Sequence, residues 1–593
     1  MTHKYNIGII GNCSYIAYIT ERGEVCWLCL PRFDSGFLFG SLLDKKKGGD
    51  FSILPADNQF DTRQYYLENT NILCSEFTNS SGIYRIIDYA PRFYQYDRYF
   101  KPLMLFRKIE IISGNPKIVI RCNPVGDYGA LQPSVVMGSN HIRYLGIGPQ
   151  VRLTTSLSIN HILEEKPIVL SETAYCAFTY GIPLEASLVA TAEDFLEKTR
   201  AYWLSWVKTT SVGNIFQEHI IRSALALKLH QYEDTGGIIA SGSMGLPEAF
   251  GSGRNWDYRY CWLRDAFYTL NAFNTIGHFE ELERYFYYIR NIISEEREKI
   301  QPLYGITGAK EIVEREIELE GYRNNRPVRV GNDAYSHVQN DVYGQVLVSL
   351  LPLYIDKRLS SSPGKTPDMM IINWLLDKIS STMNEPDSGI WEFRNKQQRH
   401  CYTFLFHWAG SMAAKKIAEH QNDKKLLRRA RNLASLASRQ IEACYNPIKQ
   451  AYCQAIESDQ VDASCFQLII SHYLKPNSIR TKNHLKALER ELSADGGLIY
   501  RYRHCDDFGA PKSAFLVCSF WYVESLACIG QIEKAIGVFE KLLSYSNHLK
   551  LFSEDIDPAT GSQMGNFPQA YSHVGLMNAA SRIGKKLDLP YFL

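Results

Sequence analysis

The 593-residue chain has no run of about eighteen apolar residues, so no membrane-spanning helix is expected. Charge of one sign is also lacking: 65 Lys and Arg against 63 Asp and Glu leave a formal +2. That balance gives no reason to expect nucleic acid or another polyanion as a partner. The 14 cysteines lack the short, dense spacing of a secreted disulfide framework. One C-x-x-C exists, Cys26 to Cys29 in "CWLC"; it opens no helix and has no second pair to complete a zinc site, so it reads as strand. No D-x-[DN]-x-[DN]-G calcium loop occurs. G-x-S-x-G, H-E-x-x-H and G-x-G-x-x-G are also missing, which sets aside a hydrolase nucleophile elbow, a zinc protease and a dinucleotide fold. Gly364-Lys365-Thr366 lacks the first glycine of a phosphate loop and reads as surface. Ser572 and His573 are neighbours, and neighbours do not build a serine–histidine relay; His573 is expected to be structural or a substrate contact. A basic leader followed by an apolar stretch is lacking, so a cytoplasmic location is expected, with export after leader removal as the alternative.

Aromatics are plentiful at 12%, with 37 Tyr and 9 Trp, and 45% hydrophobic residues suffice for a large core. Residues 1–190 read as short strands punctuated by turns, which predicts an N-terminal antiparallel β-sandwich. Residues 191–213 read as a linker helix. From 214 to 593, apolar residues recur at three- and four-residue steps in twelve helical stretches, one of them near 460–473. Twelve helices joined by alternately short and long loops permit an (α/α)6 barrel, so the expected class is a multidomain β + α chain. The long loops precede even-numbered helices, and a double ring would gather them at one mouth.

"RNWDYRYCWLRDAF" at 254–267 crowds rings, arginines and aspartates into one segment. A core needs the rings without the charges and a surface the reverse, whereas a sugar pocket wants both. Carboxylates then become the candidate chemistry. Glycoside hydrolysis needs one carboxyl that keeps its proton and a second that acts on the other face of the sugar. Glu392 in "GIWEFR" lies between rings, and Glu554 in "LFSEDID" lies among other acids.

Residues 5–45, 240–345, 384–395 and 495–580 resemble glycoside hydrolase family 15, which includes glucoamylases, glucodextranases and bacterial trehalases. The segments carrying the resemblance are "RNWDYRYCWLRDAFYTL", "GNCSYIAYITERGEVCWLCLPRFDS", "EGYRNNRPVRVGNDA" and "DPATGSQMGNFPQAYSHVGLMNAA". The resemblance implies a β-sandwich before an (α/α)6 barrel and an inverting, exo-acting mechanism without metal or cofactor. By position it implies that Glu392 is the general acid, Glu554 the general base, and Arg264 with Asp265 the grip on the terminal sugar. Tyr258, Trp262 and Trp391 would line that subsite, with Arg501, Tyr502, Gln339 and Asp341 as further substrate contacts. Bacterial relatives carry Ser-Lys and Asp-Arg pairs where this chain has Thr403-Phe404 and Met412-Ala413 around Trp408, and Glu-Gly where it has Lys512-Ser513. These departures bear on the subsites beyond the scissile bond, and so on the substrate. The leading expectation is release of β-glucose from α-glucans or maltooligosaccharides. Hydrolysis of α,α-trehalose is the alternative, and a silent carbohydrate-binding protein the reading from another class. Oligomeric state has no signal in these residues.

Overall fold

β-Branched and aromatic runs broken by Gly and Asn turns build two large antiparallel sheets between Ile7 and Thr179, with a short two-stranded ribbon, Phe93–Gln95 and Arg98–Phe100, beside them. The structure is a computed structural model that describes residues 2–587 apart from 58, 297 and 361–368, so the Gly364-Lys365-Thr366 stretch lies outside the described residues. One sheet runs Ile7–Gly11, Ile16–Thr20, Glu24–Cys29, Asp50–Pro55, Lys117–Asn123 and Ile168–Val169, with Phe37–Phe39 beside the third strand. The other runs from Ser134–Met137 through Ala174–Thr179, Met104–Gly114 and Gly82–Tyr89 to Asp61–Tyr66. Phe39 and Phe51 of the first sheet meet Phe178 of the second at 5.0 and 6.4 Å between centroids, so the sheets pack face to face. Arg107 crosses that core: it pairs with Asp88 at 2.7 Å and donates to the Phe51 carbonyl at 2.9 Å. Its charge is buried but paired and hydrogen-bonded, the condition under which burial is tolerated.

Helix Leu188–Lys208 leads into the helical half, where eleven further helices of twelve or more residues follow among the described residues. The helices Leu263–Ile276, Asp341–Ile355, Cys401–Gln421, Leu516–Cys528 and Ala570–Leu587 form an inner ring with the 463–470 segment. Each contacts the next, and Ala570–Leu587 returns to Leu263–Ile276, which closes the barrel. Every residue of Leu516–Cys528 is buried, whereas Lys424–Ala443 buries one stripe, as inner and outer helices should. Gly344 lets two inner helices touch: a Cβ there would sit 1.9 Å from the Phe406 carbonyl.

The expected helix near 460–473 is instead a 3₁₀ turn, Ala463–Phe466, followed by one turn, Gln467–Ile470. His472 adopts a left-handed φ of 59° and stops it, a conformation that ends helices. Leu225, Leu229, Leu549 and Phe567 of the helical half join the sandwich core, so the two halves share apolar packing. No helix among the described residues is long and apolar enough to cross a membrane.

Candidate active site

The loops before the five inner helices, and the first turns of some of them, line one pocket. The 254–267 segment forms one wall, and its side chains divide. Trp256, Tyr258 and Trp262 line the pocket with Arg264 and Asp265, which lie in the first turn of their helix. Asp257 and Arg259 turn away as a fully buried ion pair at 2.8 Å, and Arg259 donates to the Ser35 carbonyl at 2.7 Å. The charges of this segment thus serve two ends: one set faces the cavity and the other ties the wall to the sandwich.

Glu392 stands in the left-handed region, with φ 60°. That conformation costs a non-glycine residue about 1–2 kcal/mol and needs surrounding support. Buried Asp387 supplies it, accepting from Asn340 N–H (2.8 Å), Gly389 N–H (3.0 Å) and Thr403 Oγ1 (2.8 Å). Three donors converge on Glu392 Oε1: Trp262 Nε1 at 2.8 Å, Gln339 Nε2 at 3.1 Å and Arg264 Nη2 at 3.2 Å. Trp391 lines the pocket beside it and is fixed by a 2.7 Å bond from Nε1 to Asp462.

Glu554 leads into the hairpin Asp555–Asp557 and Ser562–Met564. Its Oε1 accepts from the Tyr258 hydroxyl at 3.0 Å and its Oε2 from Asn566 N–H at 3.2 Å. Burial first, and then the Glu248 carboxylate, push its carboxyl up to about 8 against the pull of Arg501 and these donors. Tyr258 and Trp262 meet edge to face at 5.3 Å between centroids. One ring pair therefore holds a carboxylate at each end: Glu554 on Tyr258, Glu392 on Trp262. Burial, opposed by Arg264 and reinforced by Glu392, raises Asp265 to about 7.

Arg501 lines the pocket and is paired with Glu248, and Tyr502 donates to Asp506, which also accepts from Arg254. Gln339 and Asp341 lie behind the wall rather than on it. Gln339 bridges Arg264 and Glu392, and Asp341 stands 4.0 Å behind Arg264. Several lining residues lie outside the sequence reading, notably Glu248, Tyr571 and Phe508. Glu248 had a faint signal, an acid in the apolar run "SMGLPEAF", and its Oε1 accepts from Trp256 at 2.8 Å. His573 is structural, fully buried between Ser223 Oγ at 2.9 Å and Phe552 N–H at 3.3 Å.

The departures at 403–413 lie away from the pocket. Thr403 braces Asp387, Trp408 packs on Tyr473 at 5.2 Å, and Phe404, Met412 and Ala413 do not line the cavity. Ser513 donates to the Glu248 carbonyl, and Lys512 is exposed. These positions thus do not form the far side of the substrate site, contrary to the inference from sequence. The outer rim comes from elsewhere: Asp507 accepts from Arg394 N–H at 2.7 Å and from Asn395 Nδ2 at 2.9 Å, and Phe508 packs on Trp256 at 5.1 Å.

The family model "Glycosyl hydrolases family 15" matches residues 214–581, and the model "Trehalase-like, N-terminal" matches residues 5–166. The chain is 32% identical to a trehalase of Thermoplasma acidophilum over 95% of its own length and 97% of the relative's. It is 30% identical to a trehalase of Mycolicibacterium smegmatis, over 97% and 90% of the two chains. Among solved structures, a bacterial glucoamylase complexed with acarbose superimposes with a TM-score of 0.68 at 14% identity, covering 100% of this chain and 96% of the other. That likeness shows the fold, a β-sandwich before an (α/α)6 barrel.

Proposed function

The chain belongs to glycosyl hydrolase family 15 and is a glycoside hydrolase; from that premise we propose that its substrate is α,α-trehalose, cleaved with inversion into two glucose molecules. The observation that carries the choice of sugar is full-length similarity to proteins named trehalase, together with a trehalase-like model over the sandwich. It favours the alternative of the sequence reading over glucan hydrolysis. The rim where loops 394–395 and 506–509 close on Trp256 supports it too, because a disaccharide needs a short pocket rather than an open groove.

In this reading Arg264 and Asp265 take the hydroxyls of one glucose: the guanidinium donates and the carboxylate accepts. Glu392 is the acid. Its three donors all sit on Oε1, which leaves Oε2 to carry the proton to the bridging oxygen. Glu554 is the base, drawing a proton from the water that attacks the anomeric carbon from the opposite face. Both its oxygens receive donors, which favour the ionised form against the burial that raises its pKa. The C1–O bond breaks, its electrons go to the leaving glucose, and Glu392 protonates that oxygen.

Inversion at one of two α-linked carbons leaves the other untouched. Proton NMR at early times should therefore show α- and β-glucose in equal amounts from trehalose. Only α-glucose would exclude inversion, and turnover of maltose without trehalose would return the substrate to the glucan reading.

One observation favours the reverse assignment: a carboxyl at about 8 is mostly protonated at neutral pH, the state of an acid. The two assignments part on pH. A base works when ionised, so activity rises as pH climbs through the pKa of Glu554. An acid works when protonated, so activity falls there. Glu248→Gln removes the neighbouring charge and lowers that pKa by about 1 unit. The rising limb of kcat/KM is expected to move down by that amount. Movement of the falling limb instead would make Glu554 the acid.

A further inference from the structure

The hairpin after Glu554 is extended by a segment from the other half of the chain. Gln563 N–H donates to the His3 carbonyl at 2.9 Å, His3 N–H to Ser562 Oγ at 2.8 Å, and Tyr5 N–H to Gln563 Oε1 at 3.0 Å. Asn547 Nδ2 clamps the same strap through the carbonyls of Tyr5 (2.8 Å) and Ile7 (2.9 Å). Tyr5 is 1% exposed, with its ring 5.1 Å from Phe567 and 5.4 Å from Tyr322. Its hydroxyl donates to the Gly565 carbonyl at 3.1 Å.

That carbonyl belongs to the same peptide unit as the Asn566 N–H, which donates to Glu554 Oε2 at 3.2 Å. The chain of bonds therefore reads Tyr5 O–H to Gly565 C=O, then across one amide to Asn566 N–H and Glu554. A carbonyl that accepts a hydrogen bond polarises its own amide and strengthens the bond the N–H makes. Gly565 allows the amide to lie on the carboxylate. It holds φ 73°, and a Cβ there would stand 2.6 Å from Glu554 Oε2. The unit is held elsewhere by Gly565 N–H on the Pro247 carbonyl at 2.7 Å and by Asn566 Nδ2 on the Trp256 carbonyl at 3.0 Å.

We propose that Tyr5, from the sandwich half of the chain, is a positioning residue for the base: its hydroxyl orients and polarises the Gly565–Asn566 amide that holds the Glu554 carboxylate. The inference rests on the reading of Glu554 as base. Ring packing alone does not require the hydroxyl, so Tyr5→Phe isolates the relay. Losing the donor weakens the Asn566 bond to the carboxylate, and the rising limb of kcat/KM on trehalose moves up by about 0.5 pH unit, with activity below the limb falling ~3-fold. The thermal midpoint stays within about 2 °C, because the buried ring remains. Lys4→Ala, in the same strap but bonded to Ser544 and Ser546, leaves the limb in place. A ring-fluorinated tyrosine at position 5 is a stronger donor of similar shape and moves the limb the other way, which keeps the test decisive if the phenylalanine variant folds poorly. A wild-type limb in both position-5 variants, with Glu554→Gln inactive, overturns the relay alone. A Glu554→Gln enzyme with normal turnover overturns the base reading beneath it.

Discussion

Glu392→Gln is expected to lower kcat on trehalose by about 10³–10⁴-fold while trehalose Kd changes by less than about threefold. The amide is nearly isosteric, and its oxygen can still accept from Trp262, Gln339 and Arg264. The loop held by Asp387 has no reason to move, so pocket shape survives. Only the proton on the second oxygen is lost. Calorimetric binding separates this from misfolding. α-Glucosyl fluoride separates the roles further, because fluoride leaves without protonation and the variant should hydrolyse it at close to the native rate. Near-native turnover of trehalose by Glu392→Gln would remove Glu392 from the chemistry.

Glu554→Gln is expected to lose about 10³-fold or more on both trehalose and α-glucosyl fluoride, because activation of water is common to the two substrates. Azide needs no base. Added to this variant it should attack from the same face as the missing water and give β-glucosyl azide, detectable by NMR or mass spectrometry. Rescue in the Glu392 variant with azide and trehalose is not expected, since the leaving sugar still lacks its proton. An α-glucosyl azide product would place the nucleophile on the other face and reject the assignment.

Much of this site was legible because its groups sit where helices begin. Arg264 and Asp265 open an inner helix, and rings at 258 and 262 precede it at a spacing that points them the same way. What a helical period cannot tell is depth. Gln339 and Asp341 also lie at a helix start, yet they stand behind Arg264. Glu248 resembles any acid in a loop until Arg501, some 250 residues later, is beside it. Tyr571 stands two positions before His573 in sequence, but one faces the cavity and the other is held by Ser223 and Phe552. The substrate was the least legible. The rim depends on Asp507 and Phe508 meeting Arg394 and Trp256, a contact among loops that no local pattern records.

The strap at residues 3–5 also bears on how the enzyme is made. Its partner, Gln563, lies 558 positions further along the chain. At typical synthesis rates of 5–20 residues per second, that interval is roughly half a minute to two minutes. Until Gln563 is made, Tyr5 N–H and the His3 carbonyl lack the partners they have in the folded protein. The hairpin then docks on the strap through Ser562 and Gln563. A chain cut before residue 563 would keep Glu392, Arg264 and Asp265 but lose the bonds that tie the hairpin after Glu554 to the strap, and it is expected to be inactive.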